Sequence, residues 1–295
     1  MKLLTYKHGG SYALGLMDST GEMIIPMAAL GLGYRCMTDF ISRATEKDFA
    51  TLTGAVSSPP PGCIPYKEAE KAAPIPHPRQ DVICMGMNYL DHIKEFSKFR
   101  GLPAVEPPTH AVYFSKRVNE ALPDGGEIES HSHLDEQLDY EAELAVIIGK
   151  DAKNVPADKV RDYIFGYTII NDVSARVLQR NHKQFYFAKS LDSFTPMGPW
   201  IVTADEFEDC PPKLTVSSYV NGELRQDSST IHMLFDIPHI ISELSAGMTL
   251  LAGTIIATGT PSGVGMGFDP PRFLKAGDSV ECVIEGIGCL RNTVR

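Results

Sequence analysis

Leu138-Asp139-Tyr140-Glu141-Ala142-Glu143-Leu144-Ala145-Val146-Ile147-Ile148-Gly149 is an apolar run interrupted by two carboxylates two residues apart. On a strand, residues i and i+2 share a face, so Glu141 and Glu143 point one way while Tyr140, Ala142, Leu144 and Val146 point the other. Two like charges side by side on an apolar strand resist desolvation. Either their pKa values shift strongly or a cation neutralises them. Oxygen-only ligands suit a hard divalent ion such as Mg2+, which keeps open positions for water or substrate. For an isolated E-x-E the plainer reading is an edge strand with its Glu face in water, so the rest of the chain must decide.

Downstream, Tyr163 to Asp172 reads as a strand that ends on an acid, and Trp200 to Thr203 and Lys213 to Val220 read as strands. Asn221-Gly222 is a hairpin turn signal, Ile231 to Leu244 has helical spacing, and strands follow at Gly253 to Thr258, Asp278 to Ile284 and Cys289 to Val294. Upstream, the apolar strand Asp81 to Tyr89 runs into helical spacing over Leu90 to Phe96. There His92 and Glu95, at i and i+3, come within reach of each other. Pro59-Pro60-Pro61, Pro65, Pro74, Pro76 and Pro78 exclude a regular helix interior and predict an extended connector, which divides the chain into 1–75 and 76–295. Before it lie a small antiparallel meander around Gly9-Gly10 and a helix from Thr38 to Leu52, capped by Thr38 or Asp39. The expected class is α+β and β-rich. No G-x-G-x-x-G follows a strand, which argues against a dinucleotide fold.

With 27 Lys+Arg against 37 Asp+Glu the net charge is −10, which argues against nucleic-acid or anionic-membrane partners and for small molecules. Cys36, Cys63, Cys84, Cys210, Cys282 and Cys289 form no C-x-x-C pair and read as reduced, packed thiols of a cytoplasmic protein. The N-terminus lacks an apolar leader, and no stretch approaches the ~18 apolar residues that a membrane span needs.

Several separated pieces then fall into one pattern. The Asn88-Tyr89 to Glu95 run, Asp139-Tyr140-Glu141-Ala142-Glu143-Leu144, Asn171-Asp172 to Gln179, Lys189-Ser190-Leu191-Asp192, Val220-Asn221-Gly222-Glu223 and Thr258-Gly259-Thr260-Pro261-Ser262-Gly263-Val264-Gly265 together resemble the fumarylacetoacetate hydrolase family. The resemblance runs from about Asp81 to the C-terminus. It implies a small N-terminal α+β lobe followed by a mixed β-sandwich roll, a homodimer, and Mg2+ or Mn2+ on Glu141, Glu143 and Asp172, with Ca2+ as another occupant of the same oxygens. It implies Lys189 beside the metal, Gln179 and Thr260 on the substrate's carboxylate and oxo groups, and His92 with Glu95 as a water-activating dyad on a lid. Family members often read F-x-K-P after the lid. Phe114-Ser115-Lys116-Arg117 departs from this at the last position, so Lys116 is expected on a more polar wall at the substrate's distal end.

The activity implied is hydrolysis of a carbon–carbon bond in a 1,3-dioxo, acylpyruvate-like acid of the kind met in aromatic catabolism. His92 would activate water, and a metal-bound enolate would leave. Decarboxylation of an oxaloacetate-like acid, or isomerisation of an oxo acid, uses the same metal and lysine without attacking water. A non-catalytic small-molecule-binding protein is the remaining alternative. His131 and His133 read as a hydrated loop rather than as metal ligands, and Cys84 as a packed thiol rather than a nucleophile.

Overall fold

Residues 1–101, 103 and 106–295 are described by the computed structural model. Gly9 and Gly10 both take positive φ, 59° and 76°, the backbone that a two-residue hairpin requires, and they join the strands Lys2–His8 and Ser11–Met17. Asn221 and Gly222, at φ 53° and 79°, do the same between Thr215–Val220 and Glu223–Ser229.

Among the described residues the main sheet has eleven strands. Ile64–Pro65, Met23–Pro26, Ser11–Met17 and Lys2–His8 lead into Met197–Thr203, Ile164–Asn171, Ala142–Ile148, Ile255–Ala257, Val82–Gly86 and Val112–Lys116, with Glu70–Lys71 beside Lys2–His8. A five-stranded sheet of Glu223–Ser229, Thr215–Val220, Ser279–Ile284, Gly288–Val294 and Glu127–Ile128 lies against it. The architecture is thus the expected β-rich α+β fold.

Ala142–Ile148 is buried along its whole length because both of its faces are covered. Leu144, Val146 and Ile148 pack into one core with Val216, Val280 and Leu290 of the smaller sheet. Ala145 and Ile147 continue the Glu face and pack into a second core with Leu3, Ile25, Phe40 and Leu52. Two-sided burial is what makes the segment a continuous apolar run.

The proline connector separates the two parts of the chain in sequence, yet the main sheet crosses that division. Lys2 pairs with Val202 and Leu3 with Ile201, and the second core draws residues from both sides. The single helix expected from Thr38 to Leu52 is two helices, Met37–Arg43 and Glu46–Ser57. Thr45 sits between them in extended backbone; its hydroxyl accepts from the Asp48 N–H, while the Asp48 carboxylate accepts from the Thr45 N–H. This capping box restarts the helix. The later helix begins at Ile237 rather than Ile231, because the Asp236 carboxylate caps it by accepting from His239 N–H at 2.8 Å and Pro238 follows at once. Among the described residues no helix is long and apolar enough to cross a membrane.

Candidate active site

Strand register assembles the acidic cluster. Ala142 faces Asn171 and Glu143 faces Ile170, and the Asp172 N–H donates to the Glu141 carbonyl at 2.8 Å, so Asp172 stands across from Glu141. Facing residues of an antiparallel pair share a side of the sheet, as do residues two apart on one strand. One carboxylate oxygen from each of Glu141, Glu143 and Asp172 therefore lies within 4.8 Å of the others, and all three residues are buried.

Three cations border this cluster. Lys189 Nζ donates to Glu141 Oε2 at 2.8 Å and to Asp172 Oδ2 at 2.6 Å. Arg176 forms an ion pair with Glu141 Oε1 at 2.7 Å, and its Nε donates to Asp139 Oδ2 at 2.9 Å. Asp139 also accepts from the Gly265 and Met266 N–H groups, which ties the glycine-rich loop to the same arginine. Burial alone would raise the Glu141 carboxyl, but Lys189 and Arg176 hold it well below the usual range. Burial would likewise lower the Lys189 ammonium, and Asp172 and Glu141 outweigh it and push it up.

Glu143 differs. Burial pushes its carboxyl well up, and the charges of Asp172 and Glu141 push it further. Its Oε2 accepts from the Gly259 N–H at 2.8 Å, whereas Oε1 is buried with no partner. Among the described residues no lysine or arginine pairs with it.

Lys116, the third cation, lies elsewhere than expected. Its ammonium is fully buried behind the cluster, donating to Asp172 Oδ1 at 2.5 Å, Phe194 O at 2.7 Å and Val173 O at 3.3 Å. An ammonium has three donors, and three oxygens take them. Lys116 thus orients Asp172 and is absent from the cavity wall.

The cavity in front of the cluster holds about 360 Å³, part of it open to solvent. Met85, Met87, Phe96, Phe114 and Phe185 form its apolar side, and Glu141, Arg176, Gln179, Lys189, Thr260 and His92 its polar side. His92 and Glu95 lie on the helix Leu90–Phe99. Glu95 Oε2 is 3.6 Å from His92 Nδ1, beyond hydrogen-bond length, and Nδ1 is buried without a partner. Both Glu95 oxygens instead accept from the Gly263 N–H, at 2.9 and 3.1 Å. The helix can come this close because residue 267 is glycine; a Cβ there would lie 2.5 Å from the Glu95 carboxyl carbon. His131 and His133 lie outside the cavity, and burial pushes the Cys84 thiol well up.

The pattern of the fumarylacetoacetate (FAA) hydrolase C-terminal region matches residues 81–295. The chain belongs to the fumarylacetoacetate hydrolase family. Within that family it is 47% identical over 227 residues to an oxaloacetate tautomerase of Bacillus subtilis, covering 77% of this chain and 73% of that one. Its fold is similar to that of a fumarylacetoacetate hydrolase from the psychrophile Exiguobacterium antarcticum, with TM-score 0.84 and 39% identity over 100% and 99% of the two chains. A maleylpyruvate hydrolase from Sphingobium is similar at TM-score 0.75 and 31% identity, over 100% and 99%. Family relatives thus include both tautomerases and hydrolases.

Sequence reasoning missed two groups in this family member. Arg176 stands in the Asn171-Asp172 to Gln179 run, but an arginine at the start of a helix carries no mark that sets it apart from a solvated one. Gln226 has no motif around it. It is fully buried, and its amide binds both Ala142, between the two glutamates, and Thr260.

Proposed function

We propose that this chain interconverts the enol and keto forms of a small 2-oxo dicarboxylic acid of the oxaloacetate class, with His92 carrying the proton. The observation that carries this reading is the isolation of His92. It lines the cavity, its Nδ1 has no partner, and Glu95 is held by the Gly263 N–H. Tautomerisation asks for one proton carrier within reach of the carbon, and an imidazole on the cavity wall supplies it without a hydrogen-bonded carboxylate. The identity with a tautomerase over most of both chains supports the same choice.

In ketonisation the enol O–H bond breaks and a C–H bond forms at the neighbouring carbon, so one proton leaves oxygen and one reaches carbon. His92 is placed to deliver and recover that proton. Lys189 and Arg176, already fixed by their carboxylates, stand where negative charge develops on oxygen and need no reorganisation to meet it. Met85, Met87, Phe96, Phe114 and Phe185 would give the substrate's carbon chain an apolar surface to lie on.

The residues present fit a divalent cation, because the orphaned Glu143 oxygen and its unbalanced charge call for one. Glu141, Glu143 and Asp172 would hold Mg2+ or Mn2+, which when bound supplies positive charge that lowers the cost of an enolate.

A second reading, cleavage of an acylpyruvate by water, is favoured by the nearness of Glu95 to His92 and by the likeness to a maleylpyruvate hydrolase. One assay separates the two. Oxaloacetate with added Mg2+ is followed by the decay of its enol absorbance and by proton NMR of the products. Faster enol decay without new products is expected, with a loss of about 10²–10⁴ in rate for His92→Gln. Pyruvate release would instead indicate decarboxylation, and turnover of acylpyruvates alone would indicate the hydrolase.

A further inference from the structure

Gln179 and Thr260 both line the cavity, and the hydrogen bonds behind them give the two residues opposite polarities. A guanidinium has only donors, so the Gln179 atom that meets Arg176 Nη1 at 3.1 Å is its oxygen. What Gln179 offers a ligand and Thr260 lacks is a donor, Nε2.

Thr260 is set from behind by Gln226. The Ala142 N–H can only donate, and it meets Gln226 Oε1 at 3.0 Å; the Pro261 carbonyl can only accept, and it meets Gln226 Nε2 at 2.8 Å. The amide therefore cannot turn over. Its remaining hydrogen goes to Thr260 Oγ1 at 2.7 Å, and the Thr260 hydroxyl hydrogen goes to the Ala142 carbonyl at 3.0 Å. With its hydrogen committed and one lone pair occupied, Oγ1 has a single lone pair left.

From this we infer that Thr260, held by Gln226, is an acceptor-only contact that takes a substrate group bearing its own proton, an enol or alcohol hydroxyl, and disfavours a carboxylate or ketone oxygen there. The family resemblance sets Gln179 and Thr260 on the substrate's carboxylate and oxo groups; on the present reading the donor of Gln179 suits those oxygens and Thr260 takes the hydroxyl instead. An O–H placed on the lone pair makes a bond, while a carboxylate oxygen would set two acceptors against each other in a buried site. The inference deepens the enol–keto reading and rests on it for the identity of the hydroxyl. The enol makes the contact and the ketone loses it, so the contact favours release of the keto form. Thr260 is a binding contact and Gln226 a positioning residue; neither removes the proton.

The test is calorimetric titration of the full chain, with Mg2+ added, by malate and by succinate, four-carbon dicarboxylates that differ by one hydroxyl. The wild type is expected to prefer malate. In Thr260→Val that preference should fall about 2- to 12-fold, the worth of one neutral hydrogen bond, while Thr260→Ser keeps it. Thr260→Ala replaces the valine variant if that does not fold. Gln226→Leu leaves the hydroxyl hydrogen on the Ala142 carbonyl but removes the donor that holds Oγ1 in place, and should weaken the preference for malate. A wild type without preference for malate, an unchanged ratio in Thr260→Val or Thr260→Ala, or a serine variant that behaves like valine would each overturn the inference. Should the ligand preference hold while oxaloacetate is not tautomerised, the polarity of Thr260 stands and the enol–keto reading fails. Tautomerisation without the preference leaves the enol–keto reading standing and removes the assigned polarity.

Discussion

Replacing Glu143 by glutamine should make the metal-free protein more stable and, at the same time, deaf to metal. The wild-type carboxylate is buried with one backbone donor on Oε2 and nothing on Oε1, beside two other carboxylates. An uncompensated buried charge costs several kcal/mol even after relaxation, of which a neutral isostere should recover about 1–3 kcal/mol. The unfolding entropy of ~2.1 cal/mol/K per residue gives roughly 0.6 kcal/mol/K for this chain, so Tm in chelator should rise by about 2–5 °C. The wild type should gain about 2.7 kcal/mol, or ~4 °C, at a metal concentration of 100 times Kd, and the variant should gain little.

The pH dependence has a definite sign. The folded pKa of Glu143 lies above its ordinary value of 4.5, so between the two the folded chain binds more protons than the unfolded one. In chelator, this contribution makes stability fall as pH rises through that window, and the glutamine variant lacks it. Glu141 acts in the opposite sense, since its folded carboxyl is held low and its contribution is lost only as pH falls below 4.5. Scanning calorimetry above that pH isolates Glu143. A variant less stable than wild type in chelator, or one that still gains full stability from Mg2+, would refute the idea that Glu143 is the unbalanced charge.

Lys116→Met should cost about 3–5 kcal/mol by leaving Asp172 short of a cation, lowering Tm by roughly 5–8 °C; a raised KM with unchanged Tm would return Lys116 to the substrate wall. For Glu95→Gln, enol–keto turnover should fall less than about tenfold, since the carboxylate does not hydrogen-bond the imidazole, and a loss as large as that of His92→Gln would show instead that the two work as a dyad. Thr45→Ala should remove about 1 kcal/mol with kcat unchanged, as thermal melts and steady-state rates can verify.

What can be seen in the sequence is what depends on short spacing. Glu141 and Glu143 share a face by the period of a strand, and Asn221-Gly222 turns a hairpin by its own φ preferences. That Asp172 stands opposite Glu141 rests on a register between strands joined through a long loop, and there the family resemblance supplies what spacing cannot. Lys116 is misplaced by sequence reasoning for a physical reason. A lysine is ordinarily exposed, and the three oxygens that saturate its ammonium come from Asp172, Val173 and Phe194, far along the chain. The helix break at Thr45 is legible as T-x-x-D, but apolar periodicity runs across it and hides it. Gln226 lies beyond reach, since its importance exists only where its amide meets Ala142, Thr260 and Pro261.

The pairing of Lys2 and Leu3 with Val202 and Ile201 bears on how such chains can be recombined. The family pattern starts at residue 81, yet the sheet that carries the glutamates starts at Lys2. Cut at the pattern's edge, the second part would keep Met197–Thr203 paired with Ile164–Asn171 but leave its other side an open sheet edge, and would strip the apolar cover from Ala145, Ile147 and Ile170, an invitation to aggregate. A chimera that joins residues 1–80 of one relative to the remainder of another therefore places its seam in the middle of a sheet. Its yield as folded protein will depend on whether two surfaces with separate histories still fit.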